Sequence, residues 1–167
     1  MKVAILGYSG SGKSTLARKI GEKYNIPVLH LDKVNFTKNW KERETSEARE
    51  IVEEFLQNDS WVIDGNYSKL EQDRRIKEAD KIIFLDFPAR VCLHRAYRRY
   101  LENKNKTRID MANDCKEKFD FEFIKWILFG GRDKKHKEKY QEICNKYKDK
   151  TIICKNSREV DEVLERL

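Results

Sequence analysis

The residues with the most specific chemical pattern form a short run near the N-terminus, Gly7-Tyr8-Ser9-Gly10-Ser11-Gly12-Lys13-Ser14. This run, here called the phosphate loop, fits the pattern G-x-x-x-x-G-K-[ST] at every specified position. Glycines let the backbone curl so that its N–H groups face phosphate oxygens, the lysine reaches the β- and γ-phosphates, and the hydroxyl binds Mg²⁺. The pattern predicts a site for ATP and Mg²⁺. The residues predicted to contact the nucleotide are Gly7, Ser9, Gly10, Ser11, Gly12, Lys13, Ser14 and Thr15, together with Arg99.

Three aspartates stand at the ends of predicted strands, where open parallel sheets bind their ligands. Asp64 ends the third strand, and we predict that it binds the metal together with Ser14. Asp32 follows the second strand and is well placed to take a proton from an acceptor hydroxyl. Asp86 ends the fourth strand, but Pro88 turns the chain away directly afterwards. The alternative for each aspartate is a turn-capping role.

Phosphoryl transfer depends on charge stabilisation, so further cations are expected beside Lys13. Arg95 and Arg99 are four residues apart on a predicted helix and share one face. The polar segment 103–115, which contains Arg108, is predicted to be a mobile loop within a lid-like segment near 103–131, and Arg132 returns from its far side. The alternative is a basic helix that faces water. The predicted catalytic residues are Lys13, Asp32, Asp64, Arg95 and Arg99.

The elements that must position these residues alternate between short apolar runs and longer amphipathic ones. Strands are predicted at 2–6, 28–31, 61–64, 81–86 and 151–154, and helices at 13–24, 45–58, 90–101, 118–129 and 132–147, with a last helix capped by Ser157. This order predicts an α/β protein with a three-layer P-loop nucleoside triphosphate hydrolase fold. We expect a parallel sheet of about five strands, helices on both faces and a small helical lid. Residues 1–167 are predicted to form a single domain.

Composition and cysteine spacing indicate which cellular compartment and which kinds of partner to expect. The chain has 36 Lys and Arg against 29 Asp and Glu, a net charge of +7, which suits polyanions such as nucleotides or nucleic acid. The alternative is that many lysines only solvate the surface. The four cysteines show no metal or disulfide spacing, and no run is long enough for a signal peptide or a membrane span. We therefore expect a cytoplasmic protein with reduced thiols that does not bind a membrane. The sequence does not indicate its oligomeric state.

Aromatic side chains fall into two groups. Those between 119 and 129 are predicted to belong to the core, because they recur at helical spacing. Trp40 and Tyr67 stand in loops near strand ends and are candidates for stacking on a nucleobase or an acceptor ring. The members of the first group are Phe119, Phe121, Phe123, Trp126 and Phe129.

Over nearly its whole length the chain resembles the adenylate-kinase-related P-loop kinases that are often labelled topology modulation proteins. The resemblance is carried by GYSGSGKST in the phosphate loop, HLD at 30–32, WVIDGNYS at 61–68, the FLDFP strand exit, the Arg-rich helix and TRIDMANDCKEKFDFEFIKWI at 107–127. It implies that Asp64 lies near the waters of magnesium and that Arg95 and Arg99 grip phosphates beside the lid. Asn66-Tyr67 replaces a Phe-Pro-Arg run of those kinases, so an arginine that grips AMP is missing. Asp32 resembles the acid by which kinases of hydroxyl acceptors activate the attacking oxygen.

Three functional hypotheses follow. The first is an ATP- and Mg²⁺-dependent kinase that phosphorylates a nucleoside, a nucleotide or a related small metabolite. The second is an ATP-binding regulatory protein associated with DNA topology, although the sequence has no helix-turn-helix, RNP-type or zinc-finger motif. The third is an ATPase that uses water as its acceptor.

Overall fold

The sheet lies at the centre of the fold. The computed structural model describes residues 1–104, 111–112, 115–117 and 119–167. Its strands are β1 (Lys2–Gly7), β2 (Val28–His30), β3 (Trp61–Asp64), β4 (Lys81–Leu85) and β5 (Thr151–Cys154). They form one parallel sheet of five strands in the order β2-β3-β1-β4-β5. The predicted α/β class and parallel sheet are confirmed.

The apolar runs become strands because both faces of the sheet are covered. Residues 3–7 of β1 and all four residues of β3 are buried. A strand buried on both faces needs continuous apolar side chains, whereas a strand with one wet face alternates. The register pairs Ile5 with Asp64 and Gly7 with Leu85. The strand ends therefore bring the start of the phosphate loop beside Asp64.

Helices surround the sheet. Within the described residues they are α1 (Lys13–Tyr24), α2 (Leu31–Asn35), α3 (Thr45–Phe55), α4 (Gln72–Glu78), α5 (Ala89–Asn103), α6 (Phe121–Leu128), α7 (Lys134–Lys146) and α8 (Ser157–Arg166). Short 3₁₀ turns occupy Lys38–Trp40, Gly130–Arg132 and Lys148–Lys150. The helix predicted at 45–58 ends earlier, at Phe55, and the one predicted from 118 begins at Phe121, after Asp120 accepts a hydrogen bond from the amide of Phe123. Strand β4 ends at Leu85, one residue before Asp86.

Two helices were absent from the prediction. The short α2 follows β2 directly, so Asp32 lies in its first turn and not in a loop. Helix α4 has a polar sequence, QDRRIKE, whose buried residues are Gln72, Arg75 and Ile76. Because two of these three are polar, the helix lacks the apolar periodicity that identifies a buried face.

The predicted aromatic core holds only in part. Phe119 and Phe123 pack against the main core cluster. Phe121 and Phe129, however, are 78% and 66% exposed, and Trp126 is 45% exposed. Helical spacing predicted correctly that aromatic residues recur on a helix. It could not show that other described residues leave part of α6 uncovered.

No described helix is long and apolar enough to cross a lipid bilayer. All four cysteines are free thiols: Cys92, Cys115, Cys144 and Cys154. The predicted single domain stays a prediction. The lid-like segment near 103–131 also stays one, and residues 105–110, 113–114 and 118 within it lie outside the described residues.

The prediction that Ser157 caps the last helix is wrong. Asn156, and not Ser157, is the N-cap: its Oδ1 accepts from the amide of Glu159 at 3.0 Å. The Glu159 carboxylate in turn accepts from the amide of Lys155, the residue before the cap, at 2.6 Å, and from the side-chain amide of Asn156 at 2.7 Å.

This cap generates a stability prediction. Asn156→Ala removes the acceptor for an amide of the first turn and should lower the free energy of unfolding by about 1 kcal/mol. Ser157→Ala is the matched comparison and should cost less, since its hydroxyl caps no amide. Urea unfolding followed by circular dichroism measures both. A larger loss for Ser157→Ala would contradict the assigned cap.

Candidate functional site

A cavity of about 1120 Å³ runs along the edge of the sheet where the strands end. The phosphate loop lines one part of it, and α2 and the loop after β3 line another. This is the edge at which open parallel sheets bind ligands. The cavity is therefore the candidate functional site.

Glycine is required inside the phosphate loop. Gly10 has φ 79°, and a Cβ there would lie 2.4 Å from the carbonyl oxygen of Cys92. Gly12, with φ 99°, is the N-cap residue of α1 and provides no side-chain cap. The first amides of a helix have no partner inside the helix, and the positive end of its dipole favours an anion. The N-terminus of α1 therefore presents its amides to the cavity without a competing cap.

The loop carbonyls of Gly7 and Tyr8 are held by two side chains and by one amide of the loop itself. The Lys13 ammonium donates to the carbonyl oxygens of Gly7 and Tyr8 at 3.0 and 3.1 Å. Asn66 pairs with Gly7 through both of its amide atoms, donating to the Gly7 oxygen at 2.6 Å and accepting from the Gly7 nitrogen at 3.2 Å. The Ser11 amide donates to the Tyr8 oxygen at 3.1 Å, which closes a turn inside the loop.

Lys13 is half-buried and lines the cavity. Burial lowers the pKa of its ammonium, and the nearby carboxylates of Asp32 and Asp64 oppose that effect. Two of the three ammonium protons bind loop carbonyls, which leaves one for a ligand. A bound phosphate would supply the negative charge that stabilises this desolvated ammonium.

Ser14 and Asp64 are brought together as predicted, although neither was predicted to meet His30. The Ser14 hydroxyl donates to Asp64 Oδ2 at 2.8 Å, and His30 Nδ1 lies 2.5 Å from Asp64 Oδ1. Ser14 lines the cavity, whereas Asp64 is buried behind it and is only 3% exposed. Because the hydroxyl hydrogen is directed at Asp64, the Ser14 lone pairs are available to a metal.

These donors fit magnesium better than a softer metal. They are oxygens from one hydroxyl and one carboxylate, and Mg²⁺ keeps several waters and uses few protein ligands. In the part of the chain that the structure describes, no group of three His, Cys, Asp or Glu side chains could hold a metal. The site therefore suits a hydrated ion that shares its shell with phosphate oxygens.

Asp32 and Tyr67 form the second polar pair of the cavity. The Tyr67 hydroxyl donates to Asp32 Oδ1 at 2.7 Å, and both residues line the cavity. Burial raises the pKa of Tyr67, and the charge of Asp32 raises it further, so the phenol stays protonated. Tyr67 thereby fixes one oxygen of Asp32 and acts as its hydrogen-bond donor. Asp86 is not among the described residues that line the cavity.

The predicted arginines are engaged with protein groups. Arg95 donates to the Ser11 carbonyl at 2.7 Å and to the Ser157 hydroxyl at 2.9 Å, and its guanidinium stacks on Phe87 at 4.2 Å. Arg99 donates through Nε to Glu117 at 2.8 Å. Both line the cavity, so their contact with phosphate stays a prediction.

Arg108 and Arg132 are the other two arginines that the sequence analysis placed at the lid-like segment. Arg132 stacks on Tyr8 of the phosphate loop at 3.7 Å and donates to the Phe87 carbonyl at 2.7 Å. It therefore supports the loop from outside the cavity. Arg108 lies outside the described residues.

Arg75 is a residue that the sequence analysis missed. It is 0% exposed and donates to the carbonyls of Leu70, Tyr67 and Gly65 at 2.8, 2.8 and 3.4 Å. Burial lowers its pKa to about 10. Gln72, its neighbour on α4, donates to the Asn66 carbonyl at 3.2 Å. Together they fix the loop after β3, which carries the Asn66 and Tyr67 side chains into the site; an arginine in a polar helix gives no sequence signal for this.

Trp126 was also missed as a site residue. Its indole N–H donates to the Ser9 hydroxyl at 3.2 Å, and its ring contacts His136 edge to face. Gly131, in the turn after α6, lies against the same ring. Helix α6 therefore reaches the phosphate loop, a contact between residues 117 positions apart that local periodicity cannot reveal.

Residues 3–118 match a family model described as AAA domain. The chain belongs to this family of P-loop proteins. An adenylate kinase of Bartonella tribocorum is 34% identical over 108 residues, which are 63% of this chain and 54% of that enzyme. An adenylate kinase of Clostridium botulinum is 32% identical over 116 residues, 67% of this chain and 51% of that enzyme. The chain thus spans about half the length of these relatives.

The likeness extends to shikimate kinases. A bifunctional shikimate kinase/3-dehydroquinate synthase of Thermotoga maritima is 24% identical over 138 residues, 74% of this chain and 28% of that protein. The crystal structure of shikimate kinase from Bacteroides thetaiotaomicron superposes with a TM-score of 0.54 at 17% identity, over 99% of this chain and 95% of that one. The predicted P-loop fold and the relationship to adenylate kinases are confirmed. The narrower resemblance to topology modulation proteins stays a prediction.

The buried guanidinium of Arg75 generates a prediction. Arg75→Met leaves carbonyls of the loop after β3 without a donor, which destabilises the protein. It also removes a charge that is costly to bury, which offsets part of the loss. The free energy of unfolding should therefore fall by about 2 kcal/mol. Arg74→Met is the matched control: Arg74 pairs with Glu78 at the surface, and its loss should cost less than about 0.5 kcal/mol. Unfolding in guanidinium chloride at pH 7 measures the stability of both variants. Equal losses would show that Arg75 does not hold the loop.

Proposed function

We propose that this protein is a kinase that uses ATP and Mg²⁺ to phosphorylate a small acceptor, a nucleoside, a nucleotide or a related metabolite. The observation that carries the proposal is the pairing of Ser14 with Asp64 at 2.8 Å beside the phosphate loop, in the same cavity as Asp32. A phosphate-binding part and a candidate base thus share one space. Relatives named adenylate kinase and shikimate kinase support the same reaction class.

The phosphate loop binds the triphosphate in this proposal. Amides at the start of α1 and the Lys13 ammonium contact the β- and γ-phosphates. Lys13 keeps its position because the Gly7 and Tyr8 carbonyls hold it. A fixed cation stabilises charge that moves onto the leaving oxygen without reorganising in the transition state.

Ser14 would bind magnesium directly, and Asp64 would hold one of its waters from behind the hydroxyl. Bound Mg²⁺ supplies charge neutralisation between the β- and γ-phosphates. His30 holds the other Asp64 oxygen and so fixes the carboxylate plane.

Asp32 orients the acceptor hydroxyl and takes its proton. The acceptor oxygen forms a bond to the γ-phosphorus, the bond from that phosphorus to the β–γ bridging oxygen breaks, and ADP leaves. Tyr67 supports this role because it holds Asp32 Oδ1 and leaves Oδ2 to face the acceptor. Arg95 and Arg99 line the same cavity and are proposed to stabilise the transferred charge, with Arg99 exchanging Glu117 for phosphate. Free thiols at all four cysteines support a cytoplasmic location.

Lys13→Ala tests the phosphate-binding part. It removes a fixed cation from the transferred group and should lower kcat/KM by about 10²- to 10³-fold. Circular dichroism and thermal unfolding check that the variant is folded, and Lys137→Ala, an exposed change on α7, is the charge-matched control. ADP release is measured against a panel of nucleosides, nucleotides and small metabolites. Full activity of the folded Lys13→Ala variant would refute the assignment.

Ser14→Ala tests the metal part. Loss of a direct ligand should raise the Mg²⁺ concentration for half-maximal activity by roughly tenfold, about 1.4 kcal/mol of binding free energy. Asp64→Asn should raise it less, since that residue acts through water. Ser46→Ala, the same change at an exposed serine of α3 outside the cavity lining, is the control and should leave the magnesium requirement unchanged. An unchanged requirement in Ser14→Ala would exclude Ser14 as a ligand.

A further inference from the structure

The part of the cavity away from the phosphate loop selects the acceptor, and this inference rests on the proposed function. We define the acceptor end as the cavity lining contributed by residues 32–45 and 65–70. It includes α2, the segment that follows it and the loop after β3.

The segment after α2 folds back as a small hairpin. The Thr37 amide donates to the Lys41 carbonyl at 2.7 Å, and the Arg43 amide donates to the Asn35 carbonyl at 2.7 Å. At its tip Asn39 and Trp40 have φ of 57° and 62°, a left-handed conformation that is costly for residues other than glycine. Contacts elsewhere hold this tip in place, because the Trp40 indole N–H donates to the Lys116 carbonyl at 3.0 Å. The hairpin is therefore a fixed wall.

The arginine on this wall is already engaged. Arg43 donates through Nε to the Val34 carbonyl at 2.8 Å and through Nη1 to the Glu47 carboxylate. A phosphate or carboxylate acceptor is best recognised by an arginine that offers two parallel N–H donors. Arg43 has one edge turned toward the protein backbone and a carboxylate at its end, so an anionic ligand would have to compete with Glu47 for it.

Two acids and two cations line the acceptor end, and they differ in burial. Asp32 and Arg43 are half-buried, whereas Glu42 and Lys69 are both exposed. Burial raises the pKa of Tyr67, and the charges of the two acids raise it further. The half-buried part of the acceptor end therefore presents the Asp32 carboxylate and an arginine that is already engaged, while the rim carries one acid and one lysine.

An apolar surface faces these acids. Phe36 and Trp40 meet edge to face, with ring centroids 5.3 Å apart, and pack against a small buried cluster that contains Met111. Phe36, Trp40 and Met111 all line the cavity. Such a wall suits a flat or apolar body more than a densely charged one.

We propose that the acceptor is a neutral or cationic alcohol with an apolar or aromatic body, and that the acceptor end excludes compounds carrying phosphate or carboxylate near the reacting hydroxyl. Asp32 accepts the hydroxyl proton, Tyr67 holds Asp32, and the apolar wall contacts the body. Among nucleosides and nucleotides, the free nucleoside is the favoured class.

A binding experiment tests the charge rule without knowledge of the true acceptor. The wild-type protein is saturated with Mg²⁺ and a non-hydrolysable ATP analogue, and AMP is titrated by calorimetry. Asp32→Asn removes a half-buried negative charge from the lining and should tighten AMP binding by roughly tenfold, whereas Glu42→Gln removes an exposed one and should tighten it less. Glu44→Gln changes net charge equally but does not line the cavity, and it should have no effect. Tight AMP binding to the wild type that is lost in Arg43→Ala, or affinities indifferent to both acids, would overturn the proposal.

A transfer experiment uses matched pairs, each an alcohol and its phosphate monoester, such as adenosine with AMP and cytidine with CMP. The proposal expects kcat/KM at least tenfold higher for the uncharged member, and a loss of that transfer in Asp32→Asn. Preference for the monoester overturns it. Absence of transfer to every compound refutes the proposed function instead, and the calorimetric result still decides the charge rule.

Discussion

The fold depends on keeping one face of the phosphate loop open. A loop whose amides must face an anion cannot satisfy its carbonyls with its own amides as a helix does, and buried polar groups need partners. Here side chains satisfy two of these carbonyls: Gly7 is held by Asn66 of the loop after β3 and by Lys13, and Ser11 is held by Arg95 of α5. The arrangement ties β1, the loop after β3 and α5 to a single turn of backbone. A change in any of these elements is therefore a change in the phosphate site.

Three described arginines hold backbone carbonyls of the loops around the site. Arg75 holds three carbonyls of the loop after β3, Arg95 holds Ser11, and Arg132 holds Phe87 while it stacks on Tyr8. A guanidinium with five N–H donors suits this use, because it satisfies several oxygens that a strand or helix would otherwise leave unpaired. Sequence reasoning assigned Arg95 to phosphate because charge is what a sequence displays. Its partners in the structure are the Ser11 carbonyl and the Ser157 hydroxyl, which no sequence motif records.

The predictable parts were those in which neighbouring residues carry the signal. β1 and β3 follow from continuous apolar runs, and the phosphate loop from its glycines, lysine and serine. The parallel sheet then implies that Ser14 and Asp64 meet, since β1 and β3 end at the same edge. α4 was missed because its buried face is polar, and the contact of Trp126 with Ser9 joins distant segments. Phe121 and Phe129 were placed in the core because periodicity identifies a face but not what covers it.

The two parts of the cavity differ in their charged groups, and that difference separates nucleotide from acceptor. At the phosphate loop, amides, Lys13 and the start of α1 favour anions. Beyond it, Asp32 is the half-buried acid of the lining, and Arg43 is paired with Glu47. A triphosphate bound with its γ-phosphate toward the acceptor end would bring negative charge close to Asp32, which is tolerable only if a metal and Lys13 screen it. A second anion at the acceptor end would approach Asp32, and the cations of that part of the lining are the engaged Arg43 and the exposed Lys69. Electrostatics thus couples the choice of acceptor to the presence of the metal: with the phosphate end neutralised, the γ-phosphate can lie close to Asp32 and to an uncharged hydroxyl that Asp32 orients.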